Sequence, residues 1–181
     1  MVTGRRRPWT RTRSWRDRVR DDFRELLGTA TVAELRKPTD GTKWNNEQLL
    51  FHMLFGYLLV RNLRLLVWIL SRLPDGASRS FAALLNRGTR PFHVVNYLGS
   101  LFGARVLGYA RMERLMARAT GRLQGSLSGQ SAKSMARGMQ FPVGWDPYFT
   151  DFMTLLDIYH YPTQHYNHHR RQLTLAKVRD V

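Results

Sequence analysis

The first apolar positions of the chain repeat with the period of a helix. Apolar residues recur at intervals of four between charged ones, which predicts a helix from about Ser14 to Gly28. Beyond it, residues 31–34 read T-V-A-E, the spacing of a capping box, and predict one short helical turn. Proline and glycine residues then indicate a connector up to residue 43.

A long apolar run predicts a second helix that spans the whole domain. Asn45 or Asn46 is a suitable N-cap, and the run continues to about Leu73 before proline and glycine residues end it. The length of this run approaches that of a membrane span. Arg61 and Arg64 lie near its middle, and each costs about 2.5–3.5 kcal/mol at the centre of a bilayer. We therefore expect the core helix of a soluble protein.

A further apolar stripe predicts a third long helix. It begins at Pro91 and continues to about Leu123, after a short helix or loop over residues 78–88. Residues 125–144 are rich in glycine and serine and indicate a flexible excursion.

The last predicted helix begins at an aspartate and contains a proline. Asp146 is a suitable N-cap, and Pro147 suits the first helical position. Pro162 removes a backbone donor and disfavours helical angles at the residue before it. The helix therefore either kinks there or gives way to a new one that runs to about Val178.

Together these elements predict an all-α fold. Four long amphipathic helices joined by loops, without a β-hairpin signal or an internal repeat, are typical of a four-helix bundle. The chain has 181 residues, which suits one domain with its own core. We predict a single helical bundle over residues 14–181, with short extra helices in the connections, and a basic, disordered arm over residues 1–13.

Positive charge is concentrated at the N-terminus. The chain has 29 Lys and Arg against 13 Asp and Glu, a formal charge of +16, and residues 1–20 contain eight arginines and one aspartate. Trp9 and Trp15 alternate with these arginines, as in strips that stack on bases and neutralise phosphates. One function class is therefore a non-enzymatic module that binds nucleic acid or an anionic surface through its arm; a solvated tail is the simpler interpretation. No apolar signal segment follows, so we expect a cytoplasmic protein.

The candidate chemistry lies in residues 161–173, which read Y-P-T-Q-H-Y-N-H-H-R-R-Q-L. His165 and His169 are four residues apart, so both imidazoles lie on one face of a helix and can aim at one metal ion. The chain contains no cysteine, which excludes thiolate ligands, a cysteine nucleophile and disulfides. Any metal must therefore be held by His, Asp or Glu.

His52 is the candidate for a third ligand. It lies about two turns into the second helix among apolar residues, where a buried imidazole needs partners for its nitrogens. Metal coordination is one way to supply them. A hydrogen bond to a backbone carbonyl is the alternative interpretation for any single core histidine.

The other histidines of the chain have simpler interpretations. His168 is an alternative to His169 at the i,i+3 spacing, but its direction favours a neighbouring helix or solvent. Gln172 shares the face of the histidine pair and is expected to line the same pocket. His160 and His93 are weaker candidates for coordination.

Two segments of the chain stand out together: residues 43–52 read K-W-N-N-E-Q-L-L-F-H, and residues 165–173 read H-Y-N-H-H-R-R-Q-L. This pair of segments resembles the DinB-like superfamily, including its DinB_2 branch. The resemblance is carried by a tryptophan eight residues before a histidine in the second helix, and by H-x-x-x-H-R in the last helix. It implies a four-helix bundle with up-down-down-up connections and a metal bound by three histidines. Carried over, these ligands are His52, His165 and His169.

The resemblance also implies an enzyme. Three imidazoles leave at least one coordination position open, as in catalytic metal sites. Zinc is the expected divalent metal, with nickel or iron(II) as alternatives. Related proteins include thiol S-transferases, so we expect the metal to activate mycothiol, bacillithiol or glutathione for attack on an electrophile.

Two alternatives on the same bundle remain open. The first is a metal-dependent hydrolase or isomerase that uses the same site. The second is a structural helical module in which the histidine cluster has no role. The expected partners are a small-molecule thiol and an electrophile, with a homodimer and nucleic acid left open.

Overall fold

The computed structural model describes residues 9–175, with side chains described from residue 17 onward. These residues form eight helices and a two-stranded sheet. The helices are α1 (Trp9–Thr29), α2 (Val32–Leu35), α3 (Asn46–Leu70), α4 (Asp75–Arg87), α5 (Thr89–Leu107), α6 (Tyr109–Ser128), α7 (Ala132–Met135) and α8 (Leu155–Arg170), and the strands are β1 (Gly138–Gln140) and β2 (Phe152–Thr154).

Four of the long helices, α1, α3, α6 and α8, form a bundle around one core. Helix α3 packs against α6 and α8, and α1 packs against the same two helices from the other side. Helix α5 lies outside this set, against α3. The large side chains with less than 2% exposure come from all four bundle helices and include Phe23, Leu49, Leu50, Met53, Met112, Met116, Tyr159 and Tyr166. Removing them from water is the main favourable contribution to folding.

Helix α1 begins earlier than its sequence pattern predicts. It starts at Trp9 rather than Ser14, and it places Val19, Phe23 and Leu26 in the core. Residues 1–8 of the predicted arm lie outside the described residues. The division into an arm over 1–13 and a domain over 14–181 stays a prediction.

Two capping boxes fix the connection between α1 and α3. The predicted box at Thr31 and Glu34 is present at the start of α2. A second box joins Asn45, the N-cap of α3, to Gln48. Asn46, the other cap candidate, is instead fully buried and donates from Nδ2 to the carbonyl oxygen of Glu34 at 2.8 Å.

Helix α3 is central to the bundle. Within the described part of the chain, it is the one helix long and apolar enough by length and composition to cross a membrane, and 39% of its most apolar window is buried inside the molecule. Its contacts with α5, α6 and α8 account for an apolar composition on several faces. Arg61 and Arg64 lie on its second half, and the helix ends at Leu70 rather than Leu73.

The predicted third helix is in fact two helices. Helix α5 ends at Leu107 and α6 begins at Tyr109, so the expectation of one helix from Pro91 to Leu123 was wrong. Gly108 between them has φ 64°, a left-handed conformation that glycine adopts without steric cost. Residues 78–88 were expected to form a short helix or a loop, and they lie mostly in helix α4.

Residues 125–144 contain regular structure rather than one excursion. Helix α6 continues to Ser128, α7 follows, and β1 pairs antiparallel with β2. Met139 and Met153 are direct partners in this ladder, and both are buried. Each strand has only three residues, too few to show the alternation by which strands are recognised in a sequence.

Helix α8 begins eight residues later than predicted. Its N-cap is Thr154, which forms a capping box with Asp157, so the assignment of Asp146 as N-cap was wrong. Asp146 instead stabilises a turn, because its Oδ1 accepts a hydrogen bond of 2.9 Å from the backbone N–H of Tyr148. This turn leaves the second carboxylate oxygen of Asp146 free to act elsewhere.

Pro162 lies inside α8, which continues beyond it to Arg170. Both histidines of the H-x-x-x-H motif are therefore carried by the same helix as the proline. The helix ends at Arg170 and residues 171–175 are not helical, so the predicted continuation to about Val178 was wrong.

Candidate metal centre

Helices α3 and α8 bring three histidines together. One ring nitrogen from each of His52, His165 and His169 lies within 4.8 Å of the other two. The ring centroids are 4.8 Å apart for each pair that includes His52, and 4.5 Å apart for the pair on α8. The residues predicted from the sequence thus meet at one point, and their role as metal ligands stays a prediction.

The Nδ1 atom of each α8 imidazole is held by a neighbouring side chain. His165 donates from Nδ1 to Asp146 Oδ2 at 2.9 Å, and His169 donates from Nδ1 to Gln172 Oε1 at 2.6 Å. Nδ1 of His52 lies 3.4 Å from Ser100 Oγ, a longer contact. These contacts favour Nε2 as the coordinating atom, as in metal sites where a second partner fixes ring orientation and tautomer.

The site has space and an unused donor set for a metal ion. Nε2 of His165 is buried and has no hydrogen-bond partner among the described residues. A buried polar atom without a partner is costly, and coordination would satisfy it. Gly56 makes room for this ring, because a Cβ atom there would lie 2.8 Å from His165 Cδ2. Three neutral imidazoles suit a divalent metal such as zinc.

Burial keeps two of the imidazoles neutral. Desolvation lowers the pKa of His52 well below 6.5, and the nearby charge of His165 and His169 lowers it further. Desolvation and the charge of His165 lower the pKa of His169 to about 4. A metal ligand must be deprotonated, so both rings are in the required state at neutral pH.

Asp146 is a residue beside the histidines whose position the sequence did not reveal. Burial raises its pKa, but the hydrogen bonds from His165, Tyr148 and Tyr161 and the charge of His165 outweigh burial, and its pKa is lowered. Tyr161 donates from its hydroxyl to the same Oδ2 atom at 3.0 Å. Asp146 is therefore an ionised carboxylate with a fixed orientation beside the histidines.

Trp44 covers the third imidazole. Its ring stacks on that of His52 with centroids 4.4 Å apart and an angle of 30° between the planes. It also meets His169 edge-on at 6.4 Å. This geometry gives a physical reason for the tryptophan of the W-x-x-x-x-x-x-x-H pattern.

The three histidines open into a small pocket of about 190 Å³. Aromatic and aliphatic side chains dominate its wall, and within the described part of the chain no Lys or Arg lines it. Besides the histidines, the lining residues are Trp44, Phe55, Gly56, Leu59, Phe92, His93, Asn96, Trp145, Asp146, Pro147, Phe149 and Tyr161.

The remaining candidates occupy other positions. His168 is not part of the cluster, and its ring lies edge-on to Tyr148 at 5.7 Å. Gln172 orients His169 rather than lining the pocket wall. His93 is exposed at the pocket, and His160 lies in a separate groove between α1 and α8.

The fold and the site together define a class of protein, a mostly helical four-helix bundle that brings three imidazoles together in one pocket. The chain belongs to the DinB superfamily, whose DinB_2 family model matches residues 17–173. No curated protein sequence is significantly similar to the chain.

A solved structure supports the fold. YfiT from Bacillus subtilis, described as a probable metal-dependent hydrolase with an unusual four-helix bundle topology, is similar with a TM-score of 0.62 and 14% identity. The likeness covers 96% of this chain and 89% of that one. It confirms the four-helix bundle topology predicted from the sequence.

Proposed function

We propose that the protein is a metal-dependent enzyme, and specifically a thiol S-transferase. One observation carries the proposal: Nδ1 of His165 is bound to the nearly buried carboxylate of Asp146, its Nε2 is buried without a hydrogen-bond partner among the described residues, and its ring lies beside two more imidazoles. Structural metal sites use all their positions for protein ligands. Three histidines leave one open, as catalytic sites do.

The residues of the chain would each have one task in this centre. His52, His165 and His169 would hold the metal, with Asp146 and Gln172 fixing the orientation of the two rings on α8. When bound, a divalent metal supplies Lewis acidity, which lowers the pKa of a thiol at the open position. The thiol proton would pass to solvent, and the sulfur would form a bond to an electrophilic carbon whose leaving group departs with the bonding electron pair.

The pocket wall supports a thiol that carries no carboxylate. The wall is largely aromatic, and within the described part of the chain no cation lines it to bind an acidic group. Glutathione and bacillithiol carry carboxylates, whereas mycothiol carries none. The volume of about 190 Å³ admits the cysteinyl end of such a thiol and leaves its sugar part outside.

Hydrolysis is the second candidate. Its support is the likeness to YfiT, which is described as a probable metal-dependent hydrolase. Hydrolysis also needs a proton acceptor near the attacking water. Asp146 is bound to both His165 and Tyr161, which leaves His93 at the pocket as the residue for that task.

A bimane assay separates these candidates. Zinc-loaded protein is mixed with monobromobimane and, in turn, mycothiol, bacillithiol or glutathione, and the fluorescent conjugate is followed above the rate without protein. We expect acceleration with mycothiol, lost on chelation. Acceleration by the metal-free protein would contradict the proposal.

The matched variants are His52→Ala and His168→Ala, two substitutions of the same residue type. The first should abolish the protein-dependent rate and the second should retain it. If p-nitrophenyl acetate is cleaved without any thiol while no thiol is conjugated, the hydrolase replaces the transferase.

A further inference from the structure

A second and larger cavity lies away from the histidines. It has a volume of about 1010 Å³, lies between the second half of α3 and α6, and is also lined by Gln130, Ser134, Arg137 and Leu155. Its lining shares no residue with that of the histidine pocket. It is therefore a separate site, of the size that binds small organic molecules.

The cavity is lined by positively charged side chains that no acidic side chain neutralises within the described part of the chain. Four arginines line it, and neither Asp nor Glu does within the described part of the chain. None of the four has a carboxylate partner among the described residues, whereas arginines of α1 and α8 do. Guanidinium groups bind phosphate and carboxylate through paired hydrogen bonds. The four are Arg61, Arg64, Arg122 and Arg137.

Two buried hydrogen-bond donors at this cavity are unused. Nε of Arg64 and Oγ of Ser71 are buried without a partner, and both residues line the cavity. Among the described residues only two other buried side-chain atoms share this property, Nε1 of Trp44 and Nε2 of His165, and those residues line the histidine pocket. Within the described part of the chain, unsatisfied buried side-chain polar atoms thus belong only to residues that line these two cavities.

The guanidinium of Arg64 has a defined position. Its Cζ lies 5.1 Å from the ring centroid of Tyr159, a residue that is fully buried. The hydroxyl of Tyr159 is hydrogen bonded to Ser126 at 2.8 Å, and Ser126 also lines the cavity. This contact holds the charge against one wall and lowers the entropy lost when a ligand binds.

The same cavity is also lined by exposed apolar side chains. Leu65 and Trp68 line it and are 55% and 57% exposed, and Leu58 is 36% exposed. Arginines and serine supply donors for an anion, and these side chains supply apolar surface for a hydrocarbon part. We propose that the cavity binds a small amphipathic anion, with a phosphate or carboxylate head at the arginines and an apolar chain along α3.

Calorimetric titration with octyl phosphate tests the site, at an ionic strength of about 0.15 M to screen weak attraction. We expect one molecule bound per chain, with and without chelator. Arg64→Gln and Arg122→Gln should each weaken binding about tenfold, as expected for loss of one charged hydrogen-bonded contact. Arg111→Gln removes the same charge from α6 outside the cavity and should leave the affinity unchanged.

Because Arg64 contacts a core tyrosine, Arg122→Gln on the exposed face of α6 provides a second test that does not disturb the core. If octyl phosphate binds and phosphatidic acid vesicles do not, the ligand is a free small molecule. If the vesicles also bind, and Arg122→Gln weakens that binding, the ligand is a lipid head group. No binding, equal binding of octanol or of inorganic phosphate, or equal weakening by Arg111→Gln would each overturn the proposal.

Discussion

Asp146 Oδ2 accepts a hydrogen bond of 2.9 Å from Nδ1 of His165, although the two residues are 19 positions apart. The turn that contains Asp146 lies before β2, and His165 lies near the middle of α8. The contact fixes both the direction and the tautomer of the imidazole. The carboxylate is only 10% exposed, so the ring is held in a site of low polarity.

Replacing Asp146 with Asn should weaken metal binding without removing a ligand. The loss of an outer carboxylate from a ligating histidine reduces metal affinity about 10–100-fold. Competition with a chromogenic chelator measures the change. Asp151→Asn alters an exposed carboxylate immediately before β2 and should leave the affinity unchanged; equal affinities for both variants would contradict the role of Asp146.

The histidine set can be tested by metal content. His52→Ala removes one of three imidazoles and should sharply reduce the zinc bound per chain, because two ligands on one helix hold a metal weakly. His168→Ala, next to the cluster but outside it, should bind as the native chain does. Elemental analysis of both variants, prepared in parallel, decides the assignment; unchanged zinc in His52→Ala would exclude that residue.

Gly56→Ala should damage the site through packing alone. The added methyl group would lie 2.8 Å from His165 Cδ2, so the ring must move from its place beside Asp146. We expect lower metal affinity. Gly121→Ala is the control, because nothing lies within 4 Å of a Cβ atom there. In that helix, alanine should stabilise the protein by about 0.5–1 kcal/mol, and a similar gain in Gly56→Ala would show that the close approach is not real.

The sequence was most informative where the chemistry is local. The spacing of His165 and His169 fixes their common face on any helix. His52 lies more than one hundred positions away, so its proximity to this pair depends on the packing of α3 against α8. That proximity was predicted from the family resemblance rather than from spacing. The same packing explains why residue 56 is glycine. Gly56 lies one turn after His52 in a run of large apolar residues, and its missing side chain is the one local signal that α8 approaches α3 closely there.

Other features could not be predicted, because competing interpretations fit the same residues. W-D-P-Y is a good helix start, and only the partner on α8 shows that Asp146 serves a turn and a histidine instead. The apolar stripe from Pro91 to Leu123 keeps helical spacing through Gly108, so the break is set by tertiary packing. The strands are held by one buried pair, Met139 and Met153, which sequence periodicity does not reveal.

The metal-free protein should lose stability as the pH falls. Unfolded histidines bind protons near pH 6.5, whereas burial and neighbouring charge lower the pKa of His169 to about 4 and hold that of His52 well below 6.5. Between these values the unfolded state binds more protons, so the free energy of unfolding decreases as the pH falls from about 6.5 towards 4. Urea unfolding of chelator-treated protein measures this slope. His169→Ala should flatten it and His168→Ala should not; a slope unaffected by His169→Ala would contradict the assignment.

Asp22 joins the first and last bundle helices, and its loss should destabilise the fold. Its Oδ2 accepts hydrogen bonds from the hydroxyl of Tyr166 at 2.6 Å and from Nε of Arg170 at 3.0 Å. Tyr166 is buried, but Asp22 is about one third exposed, so solvent screens part of the interaction. We expect Asp22→Asn to lower the free energy of unfolding by about 1 kcal/mol.

Asp21→Asn is the control. It removes a neighbouring carboxylate that pairs only with exposed arginines, and should cost less than about 0.5 kcal/mol. Parallel urea titrations of the two variants compare a contact between helices with one on the surface of α1, and equal losses would show that the Asp22 contact adds nothing beyond surface charge.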